Sequence, residues 1–134
     1  MGKKSFGFTL VELLVVVAIM ALLLAIAMVG TEKINKQKRD AIRMANMNEI
    51  VKALSLYMND KGQYPVYTGS ITGADAMSTV LKSAGVISTV PTDPLAGQDY
   101  TYTSSDGKNF TLGFCLETDT IKGYAQGCGN TISP

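Results

Sequence analysis

The sequence predicts an α+β fold: one long N-terminal helix, apolar in its first half and amphipathic in its second, packed on a small antiparallel sheet of about three strands. Three observations carry this expectation. From Leu13 to Val29 no charged or strongly polar side chain occurs. That is enough apolar chain to cross a bilayer core as a helix. Thr31 to Met58 then continues without proline, with Met44, Met47, Val51, Leu54 and Met58 at spacings of three and four, the signature of one buried helical stripe. Near the C-terminus Phe110, Leu112, Phe114 and Leu116 alternate with other residues, as the inward face of a strand does.

The apolar segment must be helical in lipid, which offers no partner to free backbone groups. Lys3 and Lys4 precede it and are expected to stay cytoplasmic, with the C-terminal bulk translocated. An ordinary secretory signal is the competing reading, since Ala25-Ile26-Ala27 offers a small-residue cleavage site. The length of the apolar run and Glu12 within its first turns count against that reading. A carboxylate in hydrocarbon costs roughly 2.5–3.5 kcal/mol on insertion scales. It therefore needs a partner or a route to the headgroups.

Along the second half of the helix, Lys33, Lys36, Lys38, Arg39, Asp40, Arg43, Glu49 and Lys52 are expected on the face opposite the apolar stripe. The basic run Lys33 to Arg43 reads as a solvated surface, or as a contact for neighbouring subunits or acidic lipid. Asn59-Asp60-Lys61-Gly62 supplies the stop, with Pro65 soon after. Gln63 to Asp99 reads as a connecting region holding one short helix, Ala74 to Ala84. Thr72 and Asp75 are spaced like its cap, Gly85 stands at its end, and Met77, Val80, Leu81 and Ala84 form its buried side. Tyr100–Thr103 and Asn109–Glu117 read as two strands joined through Ser104-Ser105-Asp106-Gly107-Lys108. Thr111, Gly113, Cys115 and Glu117 are expected to face away from the core. A third strand is expected at Lys122–Gln126, with Cys128 just past its end.

The chain has 134 residues, a net charge of +1 and no histidine. A basic nucleic-acid face is not indicated, and the commonest general base is missing. No nucleophile–base pair, phosphate-binding glycine loop or metal cluster is present, so an enzyme is not expected. The two cysteines, Cys115 and Cys128, lie in the part expected to be translocated and read as one disulfide. No further Cys or His could complete a metal site with them. Asp93, Asp99, Asp106, Glu117 and Asp119 group loosely in the C-terminal half. Asp119–Gly129 lacks the six to eight oxygen ligands that a calcium site needs.

Lys3-Lys4-Ser5-Phe6-Gly7, followed by Phe8-Thr9-Leu10-Val11-Glu12 and the unbroken apolar segment, resembles the prepilin leader of type IV pilins and type II secretion pseudopilins. Gly62-Gln63-Tyr64-Pro65, Pro91-Thr92-Asp93-Pro94 and Tyr100-Thr101-Tyr102 resemble their soluble part at lower specificity. The resemblance implies a leader at residues 1–7 and a membrane and filament-core helix half at 8–30. An amphipathic half at 31–62 and a globular region at 63–134 would follow. It implies cleavage between Gly7 and Phe8, N-methylation of Phe8, and Glu12 as the assembly carboxylate paired with an N-terminal amine. A C-terminal disulfide accords with the same family, and calcium bound in the C-terminal loops is the one cofactor the resemblance implies. The implied partners are other copies of the chain, a prepilin peptidase, an inner-membrane assembly platform, minor pilins or pseudopilins, and membrane lipid before assembly. The implied location is the inner membrane, then a periplasmic or extracellular filament. A minor pilin at a filament tip, contacting a surface, DNA or cargo, and a single-pass membrane protein that never polymerises are the alternatives. One departure stands out: many relatives have a helix-breaking proline near the end of the apolar segment, where this chain has Met28-Val29-Gly30. Gly30 weakens a helix far less than proline would.

Overall fold

The computed structural model describes residues 7–134, with the side chain of Val29 excepted. The expectations for Lys3 and Lys4 lie outside the described residues. The chain divides into two compact units, the first ending at Asn35 and the second running Lys36–Pro134. One helix, α1 (Leu10–Lys61), contributes to both.

In the first unit, from Leu13 to Met28, α1 carries no charged or strongly polar side chain, and its large side chains from Leu10 to Met28 are exposed. A helix with this composition is stable only when something else covers it. Gly30 lies within the helix, which runs through it without interruption.

In the second unit the inward stripe of α1 buries Met47, Ile50, Ala53 and Leu54, with Met44, Val51 and Met58 half-buried beside them. The helix ends where Gly62 takes a left-handed conformation at φ 73° and its N–H bonds to Met58 O at 2.8 Å. Four strands follow: β1 (Tyr67–Ile71), β2 (Tyr100–Ser104), β3 (Thr111–Leu116) and β4 (Gly127–Ile132). They form one antiparallel meander in the order β1-β2-β3-β4. Tyr100, Tyr102, Leu112, Phe114 and Leu116 point inward and share one core with α1. Thr111 faces out and Gly113 and Cys115 are half-buried, so the predicted alternation of β3 holds. Only with the helix stripe against it does so small a sheet bury its apolar face.

The short helix α2 (Ala76–Ser83) begins two residues later and ends one residue earlier than expected. Asp75 is its N-cap, accepting from Ser78 N at 2.9 Å, and Gly85 closes it at φ 70°. Met77 and Leu81 are buried, whereas Val80 and Ala84 are only half-buried.

Two strands depart from the sequence expectation. Tyr67–Ile71, placed in the connecting region, pairs along its whole length with β2, from Tyr67↔Ser104 to Ile71↔Tyr100. Its Gly69 and Ser70 hide the strand signal, and the Tyr67 ring stacks on Tyr102 at 6.5 Å. The last strand is not Lys122–Gln126, which turns back on itself with Tyr124 N bonded to Ile121 O at 3.2 Å. It is the glycine-rich Gly127–Ile132, whose register is set by Leu112↔Ile132 and Phe114↔Asn130, with a bulge between Phe114 and Leu116. Cys128 therefore lies inside β4 rather than beyond a strand end. The Cys115–Cys128 disulfide crosses from β3 to β4 over a separation of 13 residues.

Closing a loop of that size stabilises by about 3 kcal/mol in the chain-entropy model. The double variant Cys115→Ser/Cys128→Ser is expected to unfold in denaturant with stability lower by about 2–4 kcal/mol. An unchanged midpoint would show that the cross-strand link contributes nothing.

Candidate functional site

The residues singled out at the N-terminus begin just before α1. Gly7, Phe8 and Thr9 lie outside the helix, and Phe8 is 80% exposed. Thr9 occupies the N-cap position and Glu12 the third helical position. Their hydrogen bonds are reciprocal: Thr9 N and Thr9 Oγ1 donate to Glu12 Oε2 at 3.1 and 2.9 Å. Glu12 N donates back to Thr9 Oγ1 at 3.3 Å. This is a capping box, in which two otherwise unpaired N–H groups at the helix start find side-chain acceptors. Thr9-Leu10-Val11-Glu12 ahead of an apolar run carries that signal in the sequence, and the expectation above passed over it. The box also eases the burden of Glu12, since one carboxylate oxygen keeps two donors when water is withdrawn.

Gly7 is exposed, and a Cβ built on it would meet nothing within 4 Å. Among the described residues nothing requires glycine there.

The second unit contains a buried ionic centre that sequence reasoning assigned to the solvent face. Arg43 is fully buried, and every N–H of its guanidinium has an acceptor. Nε and Nη2 form a fork on Asp93 at 2.7 and 2.9 Å, and Nη2 also reaches Gln98 Oε1 at 3.2 Å. Nη1 donates to Asp40 Oδ1 and to Glu117 Oε1, both at 2.8 Å. Arg39 adds a second fork on Glu117, at 2.7 and 2.6 Å. Asp40, also fully buried, accepts from Glu117 N, Thr118 N and Thr118 Oγ1 at 2.9, 2.8 and 2.7 Å. The centre thus ties α1 to the segment holding Asp93 and Gln98 and to the end of β3. The signal that could have found it is helical spacing. Carried back by four and seven residues, the stripe through Met47, Ile50 and Leu54 arrives at Arg43 and Asp40. Their union within the chain also corrects the reading of Arg39, Asp40 and Arg43 as part of a contact face for lipid or other subunits.

The charges follow the geometry. The Arg39 fork, helped by Arg43, outweighs burial and brings the Glu117 carboxyl down to about 2. Burial pushes the Asp40 carboxyl up, but the hydrogen bonds from Glu117 N, Thr118 and Arg43 prevail and hold it below its usual range. Among the described residues no group of three or more His, Cys, Asp or Glu is arranged to hold a metal ion. Of the acids considered for calcium, Asp93 and Glu117 are taken up by arginine, and Asp106 accepts from Lys108 N at 3.0 Å.

Comparison with known proteins now bears on this arrangement. The model of the prokaryotic N-terminal methylation motif matches residues 2–28, a stretch that contains Gly7, Phe8 and Glu12. The type II secretion system core protein G of Vibrio cholerae is 32% identical over 139 aligned residues, covering 97% of this chain and 91% of that protein. The chain belongs to the type IV pilin and type II secretion pseudopilin family. The type IV wide pilus major component PilA4 of Thermus thermophilus is 33% identical over 77 residues, 58% of this pilin-family chain and 59% of the relative's length. No solved structure matches the chain significantly. These relatives are structural proteins. The pilin-like α+β fold expected from the sequence is the fold observed, a long helix against an antiparallel sheet.

Removing one partner of a buried charge cluster strands the others and typically costs about 3–5 kcal/mol. Arg43→Met is expected to destabilise by that amount in chemical denaturation. A loss below about 1 kcal/mol would show that Asp40 and Asp93 are satisfied without it. The pH dependence has a definite sign. Glu117 is depressed from 4.5 to about 2 in the folded chain, so its contribution is present above pH 4.5 and is lost as pH falls through 2. In Glu117→Gln the part of the acid destabilisation lying in that window should vanish; an identical acid profile would remove Glu117 from this role.

Proposed function

We propose that this chain is a structural subunit of a type IV pilus-like filament or type II secretion pseudopilus, polymerising through its N-terminal helix after leader removal between Gly7 and Phe8. The observation that carries this reading is the exposed apolar surface from Phe8 to Met28, joined to one carboxylate at Glu12 and preceded by the leader motif. Such a surface is covered first by lipid and then by copies of itself, which places the precursor in the inner membrane and the product in a periplasmic or extracellular filament. A prepilin peptidase, an inner-membrane assembly platform and minor pilins or pseudopilins are the partners this reading requires.

Hydrolysis adds water across the Gly7–Phe8 bond, leaving a carboxylate on Gly7 and an amine on Phe8, the atom that is then methylated. The new ammonium and the Glu12 carboxylate are each costly in an apolar filament core, and together they neutralise. Thr9 engages Glu12 Oε2, which leaves Oε1 to face an incoming ammonium from a neighbouring subunit. The second unit, held together by the ionic centre and the disulfide, is the globular part of the subunit. No nucleic-acid or small-molecule site contributes to this reading, and its compact head with one disulfide favours a repeated shaft subunit over a tip adhesin.

Gly7→Ala is expected to leave full-length precursor in the membrane. Because alanine meets no obstacle among the described residues, such a block reports the peptidase rather than misfolding; normal processing would count against the leader. Glu12→Ala should be cut and should yield at least about tenfold fewer filaments, the scale of losing a desolvated ion pair. Filament yield unchanged from wild type would contradict the role given to that carboxylate.

A further inference from the structure

Leader removal requires a peptidase to reach the carbonyl of Gly7, and a carbonyl inside a helical turn is both hydrogen-bonded and covered. The start of α1 is therefore decisive for the reaction. In the structure the helix begins at Leu10, and the first backbone bond at this end runs from Leu13 N to Thr9 O at 3.3 Å. Both residues flanking the scissile bond precede it. What sets this start is the reciprocal Thr9–Glu12 box. Leu10 onward must be helical in lipid, which offers no partner to free backbone groups, and helix propagation beyond its first turn is easy. Without the cap at Thr9, the next residues upstream able to cap are Gly7 and Ser5. A cap at Gly7 would bring Phe8 into the first turn, and a cap at Ser5 would bring both Gly7 and Phe8 into it.

We propose that Thr9 is a positioning residue for leader removal: by capping α1 at Leu10 it holds the Gly7–Phe8 peptide outside the helix, where a peptidase can grip it. The inference rests on the leader reading above and adds a residue to it. Thr9 acts through the backbone, not by touching the reacting atoms. Glu12 is the lesser partner for this purpose, because Thr9 Oγ1 still accepts from the backbone N–H of residue 12 when the carboxylate is removed. Processing of Glu12→Ala therefore stays near wild type, whereas loss of the Thr9 acceptor slows it.

The test uses full-length precursor in lipid vesicles with the cognate prepilin peptidase, following precursor loss and the new N-terminus by mass spectrometry. Thr9→Val keeps the shape and removes the acceptor, and is expected to be cut about fivefold more slowly, the scale of a lost N-cap. Thr9→Ser and Thr9→Asn, both good caps, should be cut within about twofold of wild type. Adding Leu10→Pro to Thr9→Val should restore the rate. Proline at the first helical position favours a start there and keeps the preceding residue extended. Wild-type cleavage of Thr9→Val would overturn the proposal. So would rescue by serine alone with neither asparagine nor proline effective, since that pattern means the enzyme reads the hydroxyl itself. Failure of the leader reading is separately visible, as a wild-type precursor that is never cut between Gly7 and Phe8.

Discussion

The large apolar side chains from Phe8 to Met28 are exposed among the described residues, and the rest of the architecture answers to that. A surface of this kind is stable only in lipid or against other helices of its own type. One charge is allowed on it, Glu12, and that charge lies in the first turn, where the backbone N–H and the hydroxyl of Thr9 hold it. A carboxylate further along the run would have no such support.

The globular unit solves a different problem. Its sheet has four short strands and cannot stand without the helix stripe of Met47, Ile50, Ala53 and Leu54. Two devices hold the connections in place. The guanidinium of Arg43 joins α1 to Asp93 and Glu117, and the Cys115–Cys128 bond fastens β4 to β3. Burying charge in this way is poor as a source of net stability compared with apolar packing. Its value lies in directionality: a fork on Asp93 and another on Glu117 accept one arrangement of the surrounding segments and reject their neighbours.

Much of this was legible in the residues. The leader, the apolar run and the inward alternation of Phe110, Leu112, Phe114 and Leu116 are local patterns, so one sequence shows them. The disulfide followed from two cysteines in a translocated region. What stayed hidden depended on partners distant in sequence. β1 contains glycine and serine and becomes a strand because β2 pairs with it. β4 is glycine-rich and takes its register from β3 and the bulge. Asp40 and Arg43 look like surface charges until Asp93, Glu117 and Thr118 meet them from segments 50 to 78 residues away. The Thr9–Glu12 box is a local pattern too, a cap residue three positions before a carboxylate, and is legible in Thr9-Leu10-Val11-Glu12.

The central claim is that this helix is prepared for polymerisation by removal of the residues before Phe8. The most direct measurement is the intact mass and N-terminal residue of the protein recovered from cells. The account requires a chain that begins at Phe8 and carries one added methyl group. A chain that begins after Ala27, or one that retains Met1 or Gly2, would contradict it.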